Sequence, residues 1–532
     1  MNRINEKSVQ FNISTKLQAK IAGVFSVWEM LGIYLGYEKV IMLVWNKRGI
    51  TLTEVSSVKE TKLWINGEWV STAESYELTA PYNGEHISNI AKATVNDVER
   101  SIEGAHQAFL QFKSSTAYER AEILYRVAEL MKERKQDLAE IAAREAGKPI
   151  TAALTEIDRT ITTYQFAAEA AKGLSGETLP MDAAPGGKDR IGWTKRVPLG
   201  VISAITPFNF PFNLVAHKLG PAFAVGNAVV LKPAGQTPLS SLVMAGIFKD
   251  AGLPDGMLQI VTGSGSELSD TLVTHPLVKK VTFTGSSSVG LKIKEKVGLR
   301  KVTLELGSNA GLIVEPSVPI DKVIDRCVSG AFGYAGQVCI SLQRIYVHQS
   351  IYDQFLNAFV AATEKLVVGD PLDEKTDVSA MINPKEVTRI MQWIEEAKEQ
   401  GATVATGGTF TERTLTPTVM ANVQSDMKVA CQETFAPIVS IVPYDTFDEA
   451  INLVNQSDLG LNAGIFTNNL EDAMRAAEEL EAGAVIINDV PTFRIDNMPY
   501  GGVKNSGYGR EGIKYAVNEM TDLKFITIKT KL

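Results

Sequence analysis

The sequence predicts an α/β protein built on a doubly wound parallel sheet. Short β-rich apolar runs recur at 201–206, 228–233, 258–263, 280–285 and 301–306, with starts 27, 30, 22 and 21 residues apart. Helix-periodic segments fill the later gaps, at 239–251, 267–274 and 288–297. This is the strand–helix–strand unit at about 30 residues per repeat. The runs are apolar almost throughout, as strands covered by helices on both faces must be.

The other elements follow in chain order. Residues 62–70 read as a hairpin around the turn dipeptide Asn66-Gly67. Segment 95–112 repeats apolar residues at helical spacing. Segment 119–146 does so over a longer span and stops at Gly147, with Pro149 beyond. Residues 173–198 are rich in Gly, Pro and charge and read as an excursion from the core. A second α/β region spans 309–488, with helices at 352–366, 385–400 and 469–480 and strands at 344–347, 438–442 and 484–487. A β-rich run, 523–530, closes the chain. An unpaired terminal strand invites aggregation, so it is expected to pair. There is no internal repeat and no low-complexity tract.

Composition narrows the function. At roughly 150 residues per domain, 532 residues suggest about three domains. A net charge of −8 argues against a nucleic-acid partner, which calls for a basic face. Three cysteines exclude a disulfide scaffold and point to a reducing, cytoplasmic setting. The five histidines show no ligand-like spacing, so no metal site is expected.

The first 50 residues differ from the rest, with seven Lys/Arg against three Glu. Their apolar stretch is interrupted by Glu29, Glu38 and Lys39. A charge near the centre of a spanning helix costs roughly 3 kcal/mol, so no membrane span is expected. Lys47-Arg48-Gly49 is what a purine-rich ribosome-binding site yields when translated in frame, and Leu52 stands where a TTG start codon would lie. Residues 1–51 are therefore expected to be an atypical leader outside the native protein. The alternative is an ordinary N-terminal extension.

The strand ends carry Gly, Asn, Lys, Ser and Glu, which suits a ligand bearing phosphates beyond the carboxyl edge of the sheet. Yet Gly263-x-Gly265 is followed by Leu268, so the usual dinucleotide fingerprint is absent. Cys339 lies in the Gly-rich stretch Gly333-Tyr-Ala-Gly-Gln-Val-Cys339, where backbone N–H groups can favour a thiolate. Cys327 and Cys431 read as small hydrophobes. Bland roles remain open for the others: a surface carboxylate for Glu305, a turn residue for Asn209, a solvated lysine for Lys232.

Seven ordered motifs change that balance. They are Thr206-Pro-Phe-Asn-Phe-Pro-Phe212, Leu231-Lys-Pro233, Phe283-Thr-Gly-Ser286, Leu304-Glu-Leu-Gly307, Gly336-Gln-Val-Cys339, Glu433-Thr-Phe-Ala-Pro437 and Pro499-Tyr-Gly-Gly-Val-Lys-Asn-Ser-Gly507. Together they resemble the NAD(P)-dependent aldehyde dehydrogenase superfamily, over essentially everything from Lys62 onward. The branch they resemble takes in lactaldehyde, succinate-semialdehyde and non-phosphorylating glyceraldehyde-3-phosphate dehydrogenases.

The resemblance implies a variant Rossmann cofactor domain (62–172 and 199–308), an α/β catalytic domain (309–505) and a β bridging and oligomerisation element (173–198 and 521–532). It implies that the bridging hairpin extends a neighbouring subunit's sheet through the terminal strand, giving a homodimer or homotetramer. It implies a Cys339 nucleophile, a Glu305 general base and an Asn209 oxyanion donor. NAD or NADP would be held by Thr206, Pro207, Phe208, Lys232, Gly235, Gly263, Phe283, Gly285, Ser286, Leu306, Glu433 and Phe435. Many NAD-preferring members carry Glu where Gly235 stands, so NADP use stays open. Arg494, and secondarily Arg159, would bind the far end of a short, oxygenated or anionic aldehyde such as lactaldehyde, succinate semialdehyde, glyceraldehyde 3-phosphate or sulfolactaldehyde. A structural pair of Arg494 with Asp496 is the competing reading, and Arg159 has its own in a pair with a nearby acid. Rival functions are a cysteine hydrolase, which needs a His partner, a CoA-acylating dehydrogenase, a neutral or aromatic aldehyde dehydrogenase, and a catalytically silent family member.

Overall fold

The computed structural model describes residues 60–411 and 413–531, and the expected leader lies outside them. The predicted hairpin forms from Leu63–Ile65 and Glu68–Val70. Its turn has Asn66 at φ 54° and Gly67 at φ 83°, the left-handed pair that a two-residue hairpin demands. The hairpin joins the edge of an eight-stranded sheet. The sheet's centre is five parallel strands in the spatial order Leu258–Ile260, Ala228–Lys232, Val201–Ile205, Val278–Thr284, Lys301–Glu305. Numbered along the chain, that order is 3-2-1-4-5, the doubly wound arrangement. The strands are almost wholly buried, which is why the sequence shows apolar runs and not alternation.

Helices cover both faces. Val95–Phe112 and Ala117–Glu133 each begin with a reciprocal capping box, Thr94 with Asp97 and Thr116 with Glu119. The single helix expected over 119–146 is instead two, Ala117–Glu133 and Lys135–Ala146. The break falls at Arg134, at φ −111°, ψ 18°, whose guanidinium is held by Asp250 at 2.9 Å. The second helix ends on left-handed Gly147, as predicted. Of Ile150–Gly173, the longest helix described at 24 residues, the sequence reading marked only Glu156–Thr160 as helix-like. The helix's many Ala and Thr blur the apolar stripe.

A second sheet runs in the order Thr403–Thr406, Thr418–Ala421, Ile438–Tyr444, Leu342–His348, Ala310–Val314, Asn462–Phe466, Ala484–Ile487. All its neighbours are parallel except the first pair. The chain then returns to the first sheet. Gly507–Tyr508 pairs antiparallel with Leu304 and Glu305.

The excursion contains a strand, Arg190–Pro198. The terminal strand Thr521–Lys529 pairs with it from Thr521↔Pro198 to Lys529↔Arg190, within one chain. The terminal strand thus has one partner within the chain and stands at the edge of a three-stranded sheet with Arg190–Pro198 and Thr178–Leu179. The full antiparallel register is closed by the Thr530 N–H donating to Asp189 O at 2.7 Å. Among the described residues, no helix is long and apolar enough to cross a membrane, and no His/Cys/Asp/Glu group is arranged to hold a metal.

Candidate active site

The five parallel strands end on one edge, and their order reverses between Val201–Ile205 and Val278–Thr284. Ligands of such sheets bind at that switch point. Thr206, Pro207 and Phe208 follow the first strand and lead to Asn209. Lys232 ends the second; its buried Nζ donates to Pro233 O at 3.2 Å, and burial lowers its pKa to about 8. Gly263, at φ +140°, follows the third. After the fourth, a Cβ on Gly285 would sit 2.6 Å from the Phe283 ring. Ser286 then opens the helix Ser287–Lys296 without a side-chain capping bond, leaving first-turn N–H groups to an anion.

The second half contributes Glu433 and Phe435. One Glu433 oxygen accepts the Ser308 N–H at 2.8 Å, and the other lies 2.6 Å from where a Cβ on Gly307 would be. Burial pushes Glu433 up to about 7. Phe435, strained at φ 48°, meets Phe208 edge to face at 5.9 Å. Leu306 is buried against Gly290, with its N–H on Ser506 O at 2.9 Å. An open helix N-terminus, glycines with no room for a side chain and a buried lysine with one carbonyl partner fit a pyridine dinucleotide.

Gly235 is the exception to this crowding. A Cβ there meets only the Tyr76 hydroxyl, at 3.6 Å, so a larger side chain is admitted. Gly235→Glu is expected to raise KM for NADP at least about tenfold more than KM for NAD, because a carboxylate would face the 2′-phosphate. Equal changes with both cofactors, in paired steady-state assays, would place the adenosine ribose elsewhere.

The cysteine loop is strained. After the helix Ile320–Phe332, residues Tyr334, Ala335 and Gly336 adopt φ of 50°, 52° and 66°. Non-glycine residues hold such angles only where surroundings impose them. Here the Tyr334 hydroxyl donates to Ala146 O at 2.8 Å, and a Cβ on Gly336 would lie 2.1 Å from Ala436 O. Gln337 fixes the next step. Its side-chain oxygen accepts the Ile382 N–H at 2.8 Å, and its carbonyl accepts Asn209 Nδ2 at 2.9 Å. One amide hydrogen of Asn209 remains for another acceptor.

Cys339 is half-buried, with its Sγ 2.7 Å from the Tyr500 hydroxyl. Enclosure pushes the thiol up to about 11, opposed by the Tyr500 hydrogen bond and the charge of Arg494, while Glu433 and Glu305 add to the rise. Cys327 is buried and Cys431 exposed.

Glu305 is not the surface carboxylate that remained open above. It is 2% exposed, and neither oxygen has a hydrogen-bond partner among the described residues. Burial first, and the neighbouring Glu511 second, hold its pKa well above the carboxylate range. Glu511 stays below that range despite its own burial, because Lys218, His217 and Arg494 surround it. Lys218 donates to Glu511 at 2.9 Å and to the hydroxyls of Thr282 and Thr284 at 3.1 and 2.8 Å.

A cavity of about 320 Å³ opens beside Cys339, and four cationic side chains line it. Three are neutralised. Lys148 pairs with Glu156 and sits 3.8 Å over the Phe210 ring. Arg326 binds Asp489 at 2.6 Å. Arg159 grips Asp496 with two bonds, 3.1 and 2.8 Å. This confirms the paired reading for Arg159 and takes Asp496 from Arg494. The Arg494 side chain is 6% exposed and stacks 3.6 Å above the Tyr500 ring. Its nearest carboxylate, Glu511, is 3.8 Å away, and its Nε and one terminal nitrogen lack hydrogen-bond partners among the described residues.

Sequence reasoning missed Lys148, Glu156, His217, Lys218, Tyr500 and Glu511. His217 and Lys218 carried a signal: two polar residues inside the otherwise apolar run Leu214–Leu219. His217 Nε2–H donates to the Asp496 carboxylate at 2.9 Å, and burial lowers its pKa. The hydrogen-bond partner of Cys339 is Tyr500, which leaves the hydrolase reading without its histidine.

A 3-2-1-4-5 sheet whose ligand edge lies beside a cysteine loop fits the class of nucleotide-dependent oxidoreductases. The aldehyde dehydrogenase family model matches residues 69–526, and the chain belongs to that family, whose members couple aldehyde oxidation to NAD(P) reduction. It is 47% identical over 477 residues to the 3-sulfolactaldehyde dehydrogenase of Priestia aryabhattai, covering 90% of this chain and 100% of that protein. Among solved structures, aldehyde dehydrogenase 21 from Physcomitrella patens, in complex with the reaction product succinate, matches with a TM-score of 0.87 at 38% identity, over 89% of this chain and 98% of that one. Glyceraldehyde-3-phosphate dehydrogenase GapN from Methanocaldococcus jannaschii, complexed with NADP, matches with a TM-score of 0.83 at 38% identity, over 86% of this chain and 100% of that one.

Proposed function

We propose that this protein oxidises a short anionic aldehyde to its carboxylic acid. The observation that carries the reading is Arg494: a buried guanidinium with donors to spare, in a cavity whose other cations are already paired. A guanidinium that contacts Glu511 only at 3.8 Å and keeps N–H donors unused suits a carboxylate, phosphate or sulfonate. A relative named for 3-sulfolactaldehyde and a neighbour holding succinate support the anionic class, and relatives named for lactaldehyde support a short, oxygenated chain.

The residues divide the chemistry. Cys339 loses its thiol proton to solvent and, as thiolate, adds to the aldehyde carbon, forming the C–S bond and moving the carbonyl pair onto oxygen. The free Asn209 amide hydrogen and the Cys339 N–H hold that oxyanion. NAD(P), when bound by Lys232, Glu433 and the residues of the switch point, supplies the hydride acceptor. Once the adduct is oxidised to a thioester, Glu305 takes a proton from water as the water oxygen attacks. A carboxylate with a raised pKa is the stronger base for that step. The apolar side chains left exposed on the terminal strand and its partner, Leu523, Phe525, Ile528 and Ile191, support a homodimer or homotetramer. The free cysteines support a cytoplasmic setting.

Arg494→Leu tests the substrate class. It is expected to raise KM for succinate semialdehyde or sulfolactaldehyde about 10- to 100-fold, the loss of one charge-assisted hydrogen-bonding partner. KM for a neutral aldehyde of similar size should stay within about twofold of wild type, since the clamp has nothing to hold there. If both aldehydes respond alike, or a neutral aromatic aldehyde is the best substrate of a panel, the anionic reading is wrong.

A further inference from the structure

We propose that Tyr500 is a catalytic residue of this enzyme: its hydroxyl donates a hydrogen bond to the Cys339 sulfur and stabilises the thiolate. The inference rests on Cys339 being the nucleophile. No motif assigned Tyr500 a role, because it was read only as part of the Pro499-to-Gly507 run.

The geometry is specific. The Tyr500 oxygen lies 2.7 Å from Cys339 Sγ, and the residue is 3% exposed, so little water competes for the sulfur. The Arg494 guanidinium covers the ring at 3.6 Å. A cation on the ring face draws density from the phenol and strengthens its O–H as a donor. The charged and titratable groups facing the sulfur are Tyr500, Arg494, Glu433 and Glu305. Tyr500 itself faces Cys339, Arg494 and Glu305, and burial holds its own pKa well above the ordinary value. It therefore stays protonated, as a donor must. Of these groups, Tyr500 and Arg494 favour the thiolate, and only Tyr500 touches it.

The same bond serves the second half of the reaction. When the thioester is hydrolysed, the water oxygen bonds to the acyl carbon and its proton goes to Glu305. The C–S bond breaks, and its electron pair returns to sulfur beneath the Tyr500 O–H, which keeps its proton. One donor thus supports the sulfur both as nucleophile and as leaving group.

The test is the pH dependence of Cys339 alkylation by iodoacetamide in the full-length enzyme, read by mass spectrometry on the Cys339 peptide, since exposed Cys431 also reacts. Tyr500→Phe keeps the ring and removes the donor. It is expected to raise the inflection by about one pH unit and to slow labelling about tenfold below it. Incorporating 3-fluorotyrosine at position 500 makes the phenol a stronger donor and should move the inflection down. Opposite shifts for the two variants are the signature of a hydrogen bond. A lost packing contact would not produce them. An unchanged profile in Tyr500→Phe, or shifts of the same sign, overturns the assignment. The fluorinated enzyme decides alone if the phenylalanine variant does not fold. Failure here is distinct from failure of the nucleophile, which would appear as activity surviving in Cys339→Ala.

Discussion

Cys339→Ala is expected to abolish cofactor reduction, with kcat falling on the order of 10⁴-fold or more, as for other removed nucleophiles. The fold should survive. The side chain is half-buried and its sulfur's one hydrogen bond is to Tyr500, so the change deletes reactivity and little packing. The loop itself is held by Tyr334, Gly336 and Gln337, not by the thiol. Circular dichroism should match wild type, and Cys327→Ala and Cys431→Ala should keep turning over. Turnover above trace in Cys339→Ala, in a steady-state assay, would remove Cys339 from the mechanism.

Glu305→Gln should reduce about one equivalent of cofactor per active site in a rapid phase and then stall, with steady-state turnover down about 10²- to 10⁴-fold. In the proposed sequence, oxidation of the adduct precedes the water step, and only the latter needs the base. A variant with no burst in stopped-flow absorbance would show that Glu305 acts earlier. The wild-type hydrolytic rate should fall as pH drops through the raised carboxyl pKa, because protonation removes the base. Stability moves the other way. A carboxyl whose folded pKa is raised is favoured at low pH, and its contribution is lost as pH rises towards that pKa. Glu305→Gln should therefore gain more in Tm over wild type at pH 8 than at pH 5.

Much of the cofactor edge was legible because each strand is a short apolar run ending on one polar or small residue. Lys232, Gly263, Gly285 and Glu305 lie at or just beyond such ends in the structure as in the reading. Cys339 was legible from its glycines, although the strain was not: nothing in Tyr334-Ala335 announces left-handed backbone, and the hydrogen bond that holds Tyr334 goes to the distant Ala146. The pairing of the cavity's cations was equally hidden. Arg159 and Asp496 are 337 residues apart, and sequence proximity pointed Asp496 to the wrong arginine. Most of the helix Ile150–Gly173 escaped because its buried face is mostly Ala, Thr and Ile, with little contrast against the opposite side.

The cysteine loop and the wall of the substrate cavity are carried by different parts of the chain, and this shapes how such an enzyme can change. Residues 334–337 are held by the Tyr334 hydroxyl on Ala146, the Gln337 amide on Ala380 and Ile382, and the close approach of Gly336 to Ala436, so alteration there would disturb the cysteine loop. Ala152, Thr155, Ser329 and Thr492 line the cavity from helices and a loop outside that mesh. An evolving lineage, or a directed library, can resize the cavity or move its charge at those four positions while the proposed nucleophile and oxyanion donor keep their places. Substrate range is the freely variable trait in this architecture, and reactivity is the inherited one.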